Sequence, residues 1–180
     1  PALRRQSAES LAGRIEYLEL TPFTLDEVGA TPENLKKLLL RGGFPESFLA
    51  PSDKASLRWR QAFIQTFLEQ DIPLLGIRIP ASQLRRFWQM LAHLHGKLWN
   101  ASQIAASMGM NVASIRHYLD ILADTFMVRV LPPYHANLGK RLVKSPKVYL
   151  RDAGLLHALL GIGSYDDLLS HPVVGASWEG

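Results

Sequence analysis

Residues 96–126, GKLWNASQIAASMGMNVASIRHYLDILADTF, decide the fold of this chain because they predict two short helices joined by a tight turn. Asn100 is placed to cap the first helix, with Gln103 as its reciprocal partner. Gly109 comes where a sharp turn needs a positive φ at no steric cost. Asn111 is placed to cap the second helix, and an apolar stripe predicts its buried side: Val112, Ile115, Tyr118, Leu119 and Leu122.

This pattern predicts a helix-turn-helix. Ala105 is small enough for two helices to cross closely, and Met110 fills the corner after the turn. The outward side of the second helix then carries residues that can reach base edges or phosphates in a major groove: Asn111, Ala113, Ser114, Arg116 and His117. The alternative is an ordinary helical hairpin within an all-α core. DNA binding does not follow from the fold alone.

The period of the sequence changes after Phe126, where residues 127–131 and 147–150 predict two strands of a hairpin. No acidic residue occurs between Arg129 and Arg151. A basic hairpin after a recognition helix is typical of a wing that neutralises phosphates, and its candidate contacts are Lys140, Arg141, Lys144 and Lys147. The alternative is a solvated loop that binds nothing.

Composition limits the classes of protein that fit the chain. The 180 residues carry a net charge of +4, which permits a nucleic-acid partner without requiring one. No cysteine is present, which excludes disulfides and thiolate metal sites. The apolar runs are too short to cross a membrane and no signal peptide is recognisable, so we expect a cytoplasmic protein without a membrane partner.

The remaining chain predicts mostly helices. A strand-like run covers residues 15–20, and helices are expected over residues 24–28, 32–41, 53–70, 82–95, 152–160 and 165–170. Arg58 and Arg60 are expected on the exposed side of the third of these helices. The predicted fold class is mainly α, a helical bundle with a winged helix-turn-helix and a short β-hairpin wing.

Residue patterns for catalysis are missing from the sequence. No phosphate loop occurs, because neither Gly96–Lys97 nor Gly139–Lys140 has the loop or the following hydroxyl residue. The histidines are scattered, and His93 and His95 lie on different sides of a helix. We therefore expect no catalytic residue, no metal site and no cofactor in this chain.

Several segments, LLRGGFPESF, WRQAFIQTFLEQDIPLL and the block from His95 to Gly161, carry a resemblance to a known group of proteins. They resemble the uncharacterised domain that follows a P-loop ATPase domain in prokaryotic AAA+-like proteins. The most specific pieces are Gly42–Glu46, Asp71–Ile72, Lys140–Lys147 and Asp152–Leu155.

The resemblance implies a domain plan and a parent protein. Residues 1–28 correspond to the end of the ATPase domain, 29–95 to a helical region, 96–151 to the winged helix-turn-helix, and 152–180 to further helices and the start of a truncated nuclease-like domain. The parent is expected to be an ATPase that uses ATP and Mg²⁺, with its phosphate loop upstream of Pro1. Glu179 aligns with the first acidic position of the nuclease-like fold, whose later positions are missing.

Two functions are compatible with these observations. The first is a non-catalytic, DNA-binding winged-helix fragment whose partner is double-stranded DNA. The second is a protein-interaction or lid module that docks on its own ATPase domain without binding nucleic acid, with Trp59, Trp88, Trp99 and Trp178 as possible anchors. The oligomeric state is left open.

Overall fold

The computed structural model describes residues 14, 16, 18–133 and 145–179. The protein is mainly helical, with one small two-stranded antiparallel sheet. The first part contains α1 Leu25–Val28, α2 Pro32–Arg41, α3 Pro45–Phe48, α4 Asp53–Thr66, α5 Ile72–Leu74 and α6 Ala81–His93. The second part contains α7 Ala101–Met108, α8 Val112–Asp124, β1 Val128–Leu131, β2 Lys147–Leu150, α9 Ala153–Leu159, α10 Tyr165–Ser170 and α11 Val174–Glu179.

Local capping signals account for where several helices begin. The Thr31 hydroxyl accepts a hydrogen bond from the Asn34 amide at 3.2 Å, and Pro32 occupies the first turn of α2. The Ser52 hydroxyl accepts from the Ala55 amide at 3.2 Å and starts α4 in the same way. These interactions lie within a few residues of one another, which is why the sequence predicts them.

The helix that starts at Asp53 does not end at residue 70 as predicted. Its α-helical part stops at Thr66, a π-helical turn covers Phe67–Asp71, and α5 then continues through Pro73. Proline has no N–H and crowds the carbonyl four residues earlier in a regular α-helix. The wider hydrogen-bond spacing of a π turn just before Pro73 lets the chain continue without a break.

The predicted exposure of Arg60 is wrong. Ser56, Arg60 and Ile64 form the buried side of α4, and Arg60 is completely inaccessible to solvent. Its Nη1 atom donates to the carbonyl oxygens of Leu40 at 3.1 Å and Gly154 at 2.8 Å. Arg58, by contrast, is exposed as expected.

The hydrophobic core is centred on α6. Phe87 and Trp88 of this helix have no exposed surface. The Trp88 ring lies 5.4 Å from the ring of Phe67, and the Phe87 ring lies 5.7 Å from that of Tyr118 in α8. The core is therefore continuous from the π turn after α4 to helix α8.

The described residues of the predicted strand at 15–20 are not in a strand, and residues 18–20 are exposed. The chain docks onto the protein just after them. The Phe23 amide donates to the Gly43 carbonyl at 2.7 Å, and the Phe23 ring meets Phe48 edge to face at 5.8 Å. A single residue with polar and aromatic contacts therefore attaches this segment to the junction of α2 and α3.

The hairpin is present, with β1 beginning one residue later than predicted. Its register pairs Val128 with Leu150 and Leu131 with Lys147. The chain before α7 lies along the other edge of β2. The Gly96 amide donates to the Val148 carbonyl at 2.9 Å, and the Trp99 amide donates to the Pro146 carbonyl at 2.7 Å. Strand β2 thus has neighbours on both sides.

Within the described part of the chain, no helix is long and apolar enough to cross a membrane.

Candidate nucleic-acid interface

The corner between α7 and α8 has the predicted local geometry. Gly109 ends α7 in the left-handed conformation, with φ 66° and ψ 35°. The Asn100 side chain accepts from the Gln103 amide at 3.1 Å, and the Asn111 side chain accepts from the Ser114 amide at 2.7 Å. Both helices are therefore capped by the asparagines that the sequence indicates, but the hydrogen bonds of the described residues do not include the predicted reciprocal bond from the Gln103 side chain.

The exposed side of α8 carries Arg116 and His117, as predicted. Asn111 is also exposed, but its side-chain oxygen is already used by the helix cap. Ser114 is half-buried, so it is less available than predicted. Arg116 forms no salt bridge with any residue that the structure describes. The side chains best placed for an external anion are therefore those of Arg116 and His117.

The second half of the same side of α8 is acidic. Asp120 and Asp124 are exposed and follow Arg116 at intervals of four residues. Residues at this spacing lie on one side of an α-helix. Carboxylates repel phosphate, so only the first two turns of α8 present favourable charge to a nucleic acid. The spacing of Asp120 and Asp124 from Arg116 is the sequence signal that marks this acidic half.

Helix α6 braces the corner through the polar side chains of Gln83 and Arg86, which were not among the predicted site residues. The Arg86 guanidinium donates to the Ser107 carbonyl, in the last turn of α7, at 3.2 Å. Gln83 accepts a hydrogen bond from the Tyr118 hydroxyl of α8 at 2.8 Å. Arg86 is exposed and lies close to the turn at Gly109, which adds positive charge there. No local sequence pattern predicts these contacts, because they join residues of different helices.

The hairpin residues predicted to bind phosphate divide into two groups. Lys140, Arg141 and Lys144 lie outside the described residues. Lys147 is half-buried, and its Nζ atom is 3.3 Å from a carboxylate oxygen of Glu179 in α11 and 3.3 Å from the Tyr149 hydroxyl. These two hydrogen bonds raise the pKa of Lys147 and keep it charged, with the Tyr149 contact contributing most. Lys147 already has an anionic partner within the chain.

The same side of the hairpin forms one wall of an open cleft of about 650 Å³. Arg129, Tyr149 and Arg151 line it, and the chain around Phe23 lies opposite. Arg151 forms a salt bridge with Glu19 and lies over the Phe126 ring, 5.5 Å from its centroid. The carboxylates of Asp152 and Glu179 also line the cleft, so its charge is mixed rather than uniformly positive.

A buried polar centre lies beneath this cleft, built from residues on which the family resemblance rests. The Asp152 carboxylate accepts from the amides of Gly43 at 2.8 Å and Leu155 at 2.7 Å. Burial lowers the pKa of Arg60 to about 10, although Asp152 and Asp53 favour its charged form. Each charged group is bonded mainly to backbone, which is the pattern of a centre that holds helices together.

His157 extends this centre towards α11. Its Nδ1 atom is 3.3 Å from the Leu40 carbonyl and its Nε2 atom is 2.8 Å from the Ser177 hydroxyl. Burial lowers the pKa of His157 to about 4. In the described residues, no three His, Asp or Glu side chains come together in a way that would hold a metal ion.

Comparison with known proteins adds a family but no activity. Uncharacterized proteins of Mycobacterium bovis and Mycobacterium tuberculosis are each 49% identical to this chain over 180 residues. The match covers 100% of this chain but 40% of each relative, so the chain spans well under half of their length. No solved structure matches the chain significantly. A family model described as a domain of unknown function, DUF8612, matches residues 32–166, and the chain therefore belongs to this family.

Proposed function

We propose that this chain binds double-stranded DNA without catalysis, as a winged helix-turn-helix within a longer AAA+-like ATPase. The observation that carries the proposal is the solvent-exposed pair Arg116 and His117 on the first half of α8, directly after a capped turn. A helix in this arrangement typically enters the major groove with its N-terminal residues on the base edges.

The surroundings of α8 support the proposal. A hairpin follows this helix, and the stretch before α7 pairs with the other side of β2, as the strands of a winged helix do. Arg86 adds a cation near the turn. The ATPase parent, with its ATP and Mg²⁺, is part of the proposal because of the resemblance described above. A longer protein is consistent with the length of the mycobacterial relatives.

A duplex titration tests the proposal. Fluorescence anisotropy of a labelled 20-base-pair duplex, measured from about 50 to about 200 mM salt, should show affinity that falls steeply with salt. Arg116→Gln should weaken binding and reduce the salt slope by about 1 if its partner is a phosphate. Arg58→Gln is the matched control, since it removes an exposed arginine from α4. An absence of binding at low salt, or equal effects of the two variants, would rule the proposal out.

A second candidate function is docking on a neighbouring ATPase domain, and one observation favours it. Leu18 and Leu20 are 86% and 97% exposed beside a groove of about 640 Å³ that Phe44, Phe126 and Leu155 line. Exposed apolar grooves are typical of protein contacts. Of the tryptophans considered as anchors, Trp178 is 62% exposed and available for such a contact, whereas Trp88 is completely buried and is not.

Co-elution distinguishes this candidate from DNA binding. The chain should co-elute on size exclusion with the separately expressed ATPase domain that the resemblance implies, and Leu20→Glu should abolish the complex. Leu74→Glu, which alters another strongly exposed leucine in α5, is the control. Co-elution without duplex binding would favour docking over the first proposal.

A further inference from the structure

Helix α11 lies against the same side of the hairpin that carries Lys147. The pairing of Leu131 with Lys147 and of Arg129 with Tyr149 directs all four side chains to one side of the sheet. The Tyr149 ring on this side meets the His95 ring edge to face at 5.3 Å, and Tyr149 is buried although it belongs to a two-stranded hairpin.

The position of α11 is set by buried contacts rather than by its charged end. Ser177 is 6% exposed, and its hydroxyl lies 2.8 Å from Nε2 of the fully buried His157 in α9. The hydrogen bond of Ser177 therefore attaches α11 to the core independently of the Glu179 contacts. Glu179, two residues further on, projects towards the hairpin with 60% of its side chain exposed.

Three side chains meet at this point. Lys147 Nζ donates to Glu179 Oε1 at 3.3 Å and to the Tyr149 hydroxyl at 3.3 Å, and the Tyr149 hydroxyl donates to Glu179 Oε1 at 3.2 Å. The Lys147 side chain is 41% exposed, so solvent screens this pair and the contact is weak enough to be exchanged. A phosphate that approached Lys147 would have to replace a carboxylate that also repels it.

We propose that Glu179 acts as an inhibitory latch, which occupies Lys147 and lowers the affinity of the hairpin for DNA until the carboxylate is neutralised or displaced. This inference rests on the proposed DNA binding and adds a means of regulating it. The latch couples α11 to the hairpin, so any change that lifts the end of α11 releases one more cation for phosphate.

A double-mutant cycle on the whole 180-residue chain tests the latch. The set comprises the unsubstituted chain, Glu179→Gln, Lys147→Gln and the double variant, titrated against the same labelled duplex across salt. Glu179→Gln should tighten binding about fivefold at low salt, as expected for loss of a partly exposed pair. It should also steepen the salt slope by about 0.9, the signature of one added phosphate contact. In the Lys147→Gln background, the same substitution should leave the salt slope unchanged.

Glu46→Gln controls for net charge, because it removes an exposed carboxylate of α3 that forms no salt bridge among the described residues. Equal tightening by Glu179→Gln in both Lys147 backgrounds, or tightening no larger than that of Glu46→Gln, overturns the latch and leaves DNA binding standing. If neither the unsubstituted chain nor Glu179→Gln binds duplex at low salt, the proposed function itself falls, and the latch falls with it.

Discussion

The carboxylate of Asp152 accepts a 2.8 Å hydrogen bond from the amide of Gly43, a residue 109 positions earlier in the chain. The other carboxylate oxygen caps α9 through the Leu155 amide at 2.7 Å. A side chain at Gly42 would occupy the space of this carboxylate, and Gly42 also has a positive φ of 78°. One aspartate thus joins the end of α2 to the start of α9.

The first prediction concerns the stability that this junction provides. Asp152→Ala should lower the free energy of unfolding by about 2 to 4 kcal/mol, because it leaves the buried amides of Gly43 and Leu155 without their hydrogen-bond acceptor. Urea unfolding at neutral pH measures the change. Asp166→Ala removes an exposed aspartate from α10 and should stay within about 0.5 kcal/mol. A similar small change for Asp152→Ala would mean that the junction is not a major source of stability.

The second prediction uses the close approach of α9 to α2. A methyl group at Gly154 would overlap backbone atoms of Arg41 and Gly42. Backbone atoms cannot move aside as the end of a flexible side chain can. Gly154→Ala should therefore cost at least about 3 kcal/mol of unfolding free energy.

Gly175→Ala is the matched variant, because Gly175 is exposed on α11 with nothing within 4 Å of an added methyl group. It should stabilise the protein by about 0.5 to 1 kcal/mol through helix propensity. Thermal melts of both variants give the comparison, and equal melting temperatures would contradict the packing argument.

The third prediction is a loss of stability in mild acid. Burial lowers the pKa of His157 from its usual 6.5 to about 4, so the unfolded chain takes up the proton first as the pH falls. Stability from this group is complete above about pH 6.5 and is lost as the pH falls towards 4. The loss between about pH 7.5 and about pH 5 should be roughly 2 kcal/mol. Burial also lowers the pKa of His95, so this histidine should add to the loss of stability as the pH falls.

Urea unfolding across this pH range measures the effect. His157→Gln should flatten the pH dependence, whereas His93→Gln, which replaces an exposed histidine of α6, should leave it unchanged. If the free energy of unfolding of His157→Gln depends on pH as strongly as that of the unsubstituted chain, the effect comes from other groups.

The fourth prediction concerns the turn between α7 and α8. Gly109 has a φ of 66°, and an added Cβ would meet nothing within 4 Å. Gly109→Ala should therefore cost about 1 to 2 kcal/mol through backbone strain alone. Gly109→Asn should cost less, because asparagine tolerates the left-handed conformation. If both variants are equally stable by thermal melting, the strain argument is wrong.

The features that the sequence predicted correctly are local ones. The caps at Asn100, Asn111 and Asp152 each involve an amide three residues further along the chain, so the residues that form them are visible together. The exposed position of Arg116 follows from the helical period of its own apolar neighbours. The candidate interface on α8 was therefore largely predictable, whereas its bracing by Arg86 was not.

The sequence by itself determined where most helices begin, where the chain turns at Gly109 and which side of α8 faces solvent, because capping and helical period depend on residues a few positions apart. Only the tertiary structure decided that Arg60 is buried, since the Leu40 and Gly154 carbonyls that accept its hydrogen bonds come from distant helices. It also decided that Lys147 meets Glu179, because that contact depends on how α11 packs against the hairpin. Charges predicted as exposed acquired partners through long-range packing, which no local pattern records.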